Sequence, residues 1–365
     1  MKIAMLGHKT IPSRKGGVEI VVGEIASRMA EKGHSVVCYN RNEKDEVKLK
    51  EYKGAKLKYV FTVHMRGAAA MSSSFFAALR AAFGRYDIVH FHAEGPSAMC
   101  FLPKLFGKRI IVTVHGLDWQ RDKWGGFATK YLLLGEKMAV RFADEIIVLS
   151  ENLKKYFKDT YNRKTVLIPN GIEKPEIIPA DLITEKWGLK KDGYILFLGR
   201  IVPEKGIGYL VDAYEEISTD KKLVIAGGSS DTDSFRKELM DRCKDNKNII
   251  FTDFVQGREL EELFSNAYIY VLPSDLEGMP ISLLEAMSYS NCCVTSDIPE
   301  CTEAVGDMAI SFRKSDIRDL AEKLQMLCQN ENIVFKYKNS ASEYICGKYN
   351  WDNIVDETLK IYGGN

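Results

Sequence analysis

Short runs rich in Ile, Val and Leu recur along the 365-residue chain, separated by stretches of helical period. Seven fall in a first series, at residues 2–6, 35–39, 57–61, 87–91, 109–115, 145–149 and 165–168. Five follow at 194–198, 222–226, 248–251, 269–272 and 292–295. The runs show little polar alternation, which marks parallel strands covered on both faces. Helical patterns intervene, for example at 18–32, 73–83 and 210–217. Repeated β-α order dictates doubly wound parallel sheets, an α/β class. Twelve strands in two series fit two sheets better than one very wide one.

Length agrees, since 365 residues exceed the roughly 250–300 that one core supports. The break is legible. Ile168-Pro169-Asn170-Gly171 closes the first series with turn chemistry, and Pro175 and Pro179 mark an extended linker. The expected domains are 1–178 and 179–348, with a terminal segment at 349–365.

The net charge of +1 conceals an asymmetry. Residues 1–178 carry 30 Lys and Arg against 18 Asp and Glu, and the remainder carries 21 against 32. Opposite halves suggest two bodies with different electrostatic tasks. The basic half has no nucleic-acid reader motif, so a nucleic-acid partner is not expected. The eight cysteines form no C-x-x-C pair and read as reduced thiols. The start MKIAMLGHKT lacks the apolar core of a signal peptide, and no apolar stretch reaches 18 residues. The expected location is cytoplasmic. One segment adds peripheral attachment to the inner face of the cell membrane as an alternative. MRGAAAMSSSFFAALRAAF, at 65–83, is either a domain helix or a helix lying on anionic lipid, with the lysines of 44–58 nearby.

In open α/β sheets ligands bind beyond the carboxyl ends of the strands, where turns lead into helix N-termini. Four such places stand out. Gly16-Gly17 follow the first strand's loop and permit close backbone approach to an anion, without a dinucleotide G-x-G-x-x-G pattern. His115-Gly116 ends the strand at 109–115, so His115 either points into a cleft or bonds backbone. Gly199-Arg200 and Lys205 flank a helix start opened by Pro203, which suits a diphosphate. In Leu272–Met287, a strand, a turn and a helix opened by Pro280 place Glu277 and Glu285 where carboxylates can accept from sugar or ribose hydroxyls. Gly278 and Met279 there offer backbone N–H groups to an anion. His90 and His92 share a strand face but lack a third ligand, and read as core or supporting residues rather than a metal pair. Asp231-Thr232-Asp233 reads as incidental.

Together these residues resemble the family 4 retaining glycosyltransferases of GT-B fold. The match spans nearly the whole chain, and the Glu277-x7-Glu285 spacing is its most specific part. The opening LGHKTIPSRKGGVEIVVGEIASRM is similar to a bacterial polysaccharide-assembly branch that includes rhamnosyltransferases. The resemblance implies two Rossmann-like domains facing across a cleft, with a last helix crossing back to the N-terminal one. It implies a UDP- or dTDP-sugar donor bound by the C-terminal domain, and a glycan or lipid-diphosphate acceptor bound by the N-terminal domain. No divalent metal or other cofactor is implied. By that similarity His115, Arg200, Lys205 and Glu277 serve catalysis. Gly16, Gly17, Gly199, Gly278, Met279, Pro280, Ile281 and Glu285 bind the donor. The competing expectations are another GT-B nucleotide-sugar enzyme, such as an epimerase, and a non-catalytic nucleotide-sugar-binding protein.

Overall fold

The computed structural model describes residues 1–43, 47–65, 67–120, 125–228 and 233–364. The Asp231-Thr232-Asp233 triplet falls largely outside them, as do Arg66 and part of the lysine-rich stretch at 44–58. The described chain divides into two units, Met1–Gly171 with Trp351–Asn365, and Ile172–Asn350.

Unit 1 carries eight strands: β1 (Lys2–Leu6), β2 (Ser35–Arg41), β3 (Glu51–Tyr52), β4 (Ala55–Val60), β5 (Ile88–His92), β6 (Arg109–Val114), β7 (Glu145–Val148) and β8 (Val166–Leu167). Their spatial order is β3-β4-β2-β1-β5-β6-β7-β8. All pairs are parallel except β3 with β4. The order reverses between β1 and β5, so the loops after Leu6 and His92 open at a topological switch point. The helix Gly17–Glu31 follows β1 and turns Val21, Val22, Ile25, Ala26 and Met29 inward at helical spacing. Gly33, at φ 85°, ends it.

The helix Ala68–Phe83 has the reverse size distribution. Its buried face is Ser73, Ser74, Ala77, Ala78, Ala81 and Ala82, while Phe75 and Phe83 point outward. Small residues let the helix sit close on the sheet and leave its largest side chains exposed.

Unit 2 carries β9 (Tyr194–Leu198), β10 (Lys222–Ala226), β11 (Ile249–Asp253), β12 (Ile269–Leu272), β13 (Cys292–Ser296) and β14 (Ile310–Phe312). The order β11-β10-β9-β12-β13-β14 is the 3-2-1-4-5-6 arrangement of dinucleotide-binding sheets, parallel throughout. Its switch point lies between β9 and β12. One core joins Tyr194, Phe197, Phe264, Tyr270 and Phe312, all fully buried.

The unit boundary falls at Gly171, seven residues before the 178 expected from the prolines. Hydrogen bonding explains the shift. The Ile172 N–H donates to Tyr349 O, the Ile178 N–H to Ser265 Oγ, and Asn266 Nδ2 to Ile178 O. The segment is extended, but it is tied to unit 2 rather than hanging between units. The last helix, Trp351–Gly363, belongs to unit 1, where Tyr362 is buried and bonds His90.

Candidate active site

The switch point of unit 2 gathers the residues proposed for the diphosphate. Gly199 and Arg200 follow β9, and Leu272–Ser274 follow or end β12. The loop after β9 is knit to the end of β10. The Gly199 N–H donates to Ala226 O at 3.0 Å and the Ile201 N–H to Gly228 O at 3.0 Å. A Cβ on Gly227 would lie 1.8 Å from Gly199 O, so only glycine allows this approach. These contacts fix the backbone that carries Arg200.

Pro203 opens a short 3₁₀ turn, Pro203–Lys205, and Gly206 leaves it at φ 65° into the helix Ile207–Glu216. A Cβ on Gly206 would meet Pro273 O at 2.0 Å. Lys205 is thereby held against the end of β12, where its Nζ forms an ion pair with Glu277 Oε1. An ammonium has three donors, so one bond to Glu277 leaves two for another anion. The Asp275 N–H donates to Glu204 O, while Asp275 accepts from Tyr209 Oη and Ser315 Oγ. These bonds brace the turn that contains Glu277.

Gly278 is buried, Pro280 caps the helix Ile281–Ser288, and Glu285 is half-buried in its second turn. The helix is expected to start at Pro280; the capping position with extended backbone is the observed form. Tyr270 Oη donates within the site to Leu198 O or Ser282 Oγ, linking β9, β12 and this helix. Thus Gly199, Arg200, Lys205, Glu277, Gly278, Met279, Pro280, Ile281 and Glu285 lie in the segments that follow the neighbouring strands β9 and β12, at one end of the unit 2 sheet.

Gly16, Gly17 and His115 belong to unit 1. Gly16 caps the helix Gly17–Glu31 in extended conformation, and a Cβ there would meet Glu19 Oε2 at 2.3 Å. Glu19 accepts from the Lys9 N–H, which fastens the loop after β1 to the helix. His115 follows β6, and its Nε2 is hydrogen-bonded to His92 Nδ1 at 3.1 Å. Burial lowers His115 to about 4, with Asp118 and Glu19 opposing.

Two features of unit 1 escaped the sequence reading. His92 partners His115, although its shared face with His90 was visible. Glu94 and Glu136, both buried, anchor the segment after His115. Glu94 accepts from the Asp118 N–H, and Glu136 accepts from Trp119 Nε1, Tyr156 Oη and Tyr161 Oη. Burial, then Asp118 and Glu136, raises the Glu94 carboxyl far above its ordinary range. No spacing rule connects residues 94, 118 and 136. Among the described residues, no group of three or more His, Cys, Asp or Glu is placed to hold a metal ion.

A doubly wound unit with an arginine and a lysine–glutamate pair at its switch point has the form of an anion-binding site beyond the strand ends. The chain matches the family described as Glycosyltransferase Family 4 over residues 15–174 and that described as Glycosyl transferases group 1 over residues 180–345. It belongs to the family 4 glycosyltransferases of GT-B fold. It is 25% identical over 285 residues to alpha-maltose-1-phosphate synthase of Mycolicibacterium smegmatis, covering 71% of this chain and 73% of that one. It is 25% identical over 241 residues to N,N'-diacetylbacillosaminyl-diphospho-undecaprenol alpha-1,3-N-acetylgalactosaminyltransferase of Campylobacter jejuni, covering 62% of each. The structure of HepE from Anabaena in complex with UDP and glucose superposes with a TM-score of 0.84 at 15% identity, over all of both chains.

Proposed function

We propose that this glycosyltransferase moves a sugar, with retention of anomeric configuration and without a divalent metal, from a UDP- or dTDP-sugar to a glycan or lipid-diphosphate acceptor. Its setting is assembly of a bacterial capsule, exopolysaccharide or O-antigen. The observation that carries the reading is the placing of Arg200 and the Lys205–Glu277 pair at the unit 2 switch point.

The chemistry follows from charge. When the glycosyl–phosphate bond breaks, positive charge develops on the sugar and negative charge on the leaving diphosphate. Arg200, Lys205 and the start of the helix Ile281–Ser288 stabilise the latter. The acceptor hydroxyl oxygen attacks the anomeric carbon from the face the diphosphate leaves, and its proton passes to a leaving phosphate oxygen. No carboxylate nucleophile is needed. Glu277 orients Lys205 and meets the donor sugar, Glu285 accepts from the ribose, and Gly199, Gly278, Met279, Pro280 and Ile281 line the sugar-phosphate. The family resemblance gives Gly16, Gly17 and His115 roles toward the donor as well. The Campylobacter relative's named diphospho-undecaprenol substrate and the UDP bound in HepE support the acceptor and donor classes.

The same reading sets the chain on an anionic membrane face. Phe83, 69% exposed, packs edge-on against Phe106, 51% exposed, and Leu105 is exposed beside it. Phe61 and Phe75 extend the apolar surface around Phe76. Lys56, Lys58, Arg80 and Arg85 are exposed on the same elements or next to them. Aromatic side chains rimmed by cations suit an anionic lipid interface. No helix among the described residues is long and apolar enough to cross a membrane.

The test is donor turnover on a panel of UDP- and dTDP-sugars with candidate acceptors, in EDTA. Acceptor-dependent release of nucleoside diphosphate supports transfer. Conversion of donor without acceptor points to an epimerase and overturns the reading.

A further inference from the structure

We propose that His92 is a positioning residue that fixes the tautomer of His115, so that His115 presents a ring N–H at Nδ1 as its remaining hydrogen-bonding group. The proposal rests on the reading that His115 meets the donor sugar, and sharpens it to a donor N–H facing a sugar oxygen.

The argument is one of counting protons. Burial holds His92 well below its ordinary value and His115 at about 4, so near pH 7 each ring carries a single N–H. The contact between His92 Nδ1 and His115 Nε2, at 3.1 Å, therefore has one donor and one acceptor. The other nitrogen of His92, Nε2, is buried and has no hydrogen-bond partner among the described residues. A buried N–H left without an acceptor is rarer than a buried acceptor left with a free lone pair. His92 accordingly keeps its proton on Nδ1 and donates to His115 Nε2. His115 Nε2 is the acceptor, and the His115 proton sits on Nδ1.

A neighbouring histidine supports the choice independently. Asn40 is oriented by two backbone bonds, donating from Nδ2 to Ile11 O and accepting at Oδ1 from the Ile11 N–H. Oδ1 can only accept, so His8 Nε2 must donate to it across 2.9 Å. The remaining His8 nitrogen, Nδ1, is again buried without a partner among the described residues. In that fixed case the orphaned nitrogen is the lone pair, as assigned to His92.

The backbone holds His92 in place. It ends β5 opposite Thr113, and its ring lies 4.1 Å, centroid to centroid, from that of His90. His90 is itself held by Thr113 Oγ1 and Tyr362 Oη. Gly7, at φ 111°, passes so close that a Cβ would meet His92 O at 2.2 Å. Ala93 adopts φ 75° with its N–H bonded to Thr113 O and its carbonyl bonded by Ser97 Oγ. A non-glycine residue in that region persists only where its surroundings over-determine it.

The experiment is a long-range ¹H–¹⁵N correlation spectrum of the full chain labelled with ¹⁵N-histidine at neutral pH. The chain has only six histidines, and His115 is assigned by the signals lost in His115→Gln. The expected spectrum shows His115 protonated at Nδ1 and bare at Nε2. His92→Phe should shift both His115 nitrogens toward tautomer-averaged values and lower kcat/KM by roughly tenfold to a hundredfold, the scale of a misplaced catalytic group. His92→Asn, whose amide N–H lies near the Nδ1 position, should restore both readouts in large part. A wild-type His115 protonated at Nε2 overturns the proposal even if the variants fail to fold. So do unchanged His115 signals in folded His92→Phe. An Nδ1–H tautomer with normal turnover in His115→Ala supports the tautomer and overturns only the sugar-contact reading.

Discussion

Lys205 and Glu277, 72 positions apart in the chain, form an ion pair with only 11% and 8% of their side chains exposed. One follows β9 and the other follows β12, so the pair straddles the point where the sheet order reverses. Pairing keeps a lysine charge affordable in a partly dry turn and aims it before a substrate arrives. Removing one partner alone should be costly, up to the roughly 3–5 kcal/mol of a broken buried pair. Lys205→Met and Glu277→Leu should each lower stability, and the double variant should recover part of the loss. Urea denaturation of the four proteins reads the coupling directly.

Catalysis should separate from this stability effect. Arg200→Ala and Lys205→Ala should each lower kcat by about 10²–10³-fold, the scale for one transition-state charge donor. Near-normal turnover in both variants contradicts the diphosphate assignment.

Gly206→Ala puts a Cβ 2.0 Å from Pro273 O at a backbone φ of 65°. It should lose at least about 1–3 kcal/mol from backbone strain and weaken donor binding. Gly208 is the control. It lies two residues on in the helix Ile207–Glu216, and a Cβ there would meet nothing within 4 Å. Gly208→Ala should be neutral or stabilise by up to about 1 kcal/mol. Thermal melting with and without nucleotide distinguishes the two.

Acid should destabilise unit 1 through its histidines. Burial lowers His8 and His115 to about 4 and His90 to about 3. The unfolded chain takes up protons as the pH falls through 6.5, whereas the fold holds these rings neutral. Their stabilisation is therefore complete above 6.5 and is lost as the pH falls toward 4, at up to about 1.4 kcal/mol per pH unit for each ring. Glu94 has the opposite sign, because its folded-state value is raised. Its contribution is full below 4.5 and is lost as the pH rises. Glu94→Gln keeps an acceptor for the Asp118 N–H, so it should gain stability over the native chain between pH 4.5 and 8. Urea midpoints across that range check both signs.

Sedimentation with anionic vesicles tests the membrane face. The native chain should pellet with phosphatidylglycerol vesicles at low salt and be released by high salt. Phe83→Ser with Phe106→Ser should leave it in the supernatant.

Strands bounded by turn residues were readable to the residue, as in β1, β9, β10 and β12. The two-residue β3 and three-residue β14 were not, because so few residues carry no period. β3 exists through a tight hairpin at Lys53-Gly54, both at positive φ. The candidate donor residues stood out in the sequence because they lie in turns after strands or in the helices those turns open. Their pairing was not, since Lys205 meets Glu277 only through the order in which strands assemble. His92 was visible as a face-sharing neighbour of His90, but its bond to His115 depends on the register of β5 against β6. Glu94 and Glu136 were invisible because their partners come from separate turns and helices with no fixed spacing to them.

The most direct measurement is isothermal titration of UDP- and dTDP-sugars into the native chain and into Arg200→Ala and Lys205→Ala, with EDTA present throughout. The account predicts saturable binding of at least one donor by the native chain and its loss in both variants. Absence of any donor binding, or equal binding in all three proteins, would contradict it.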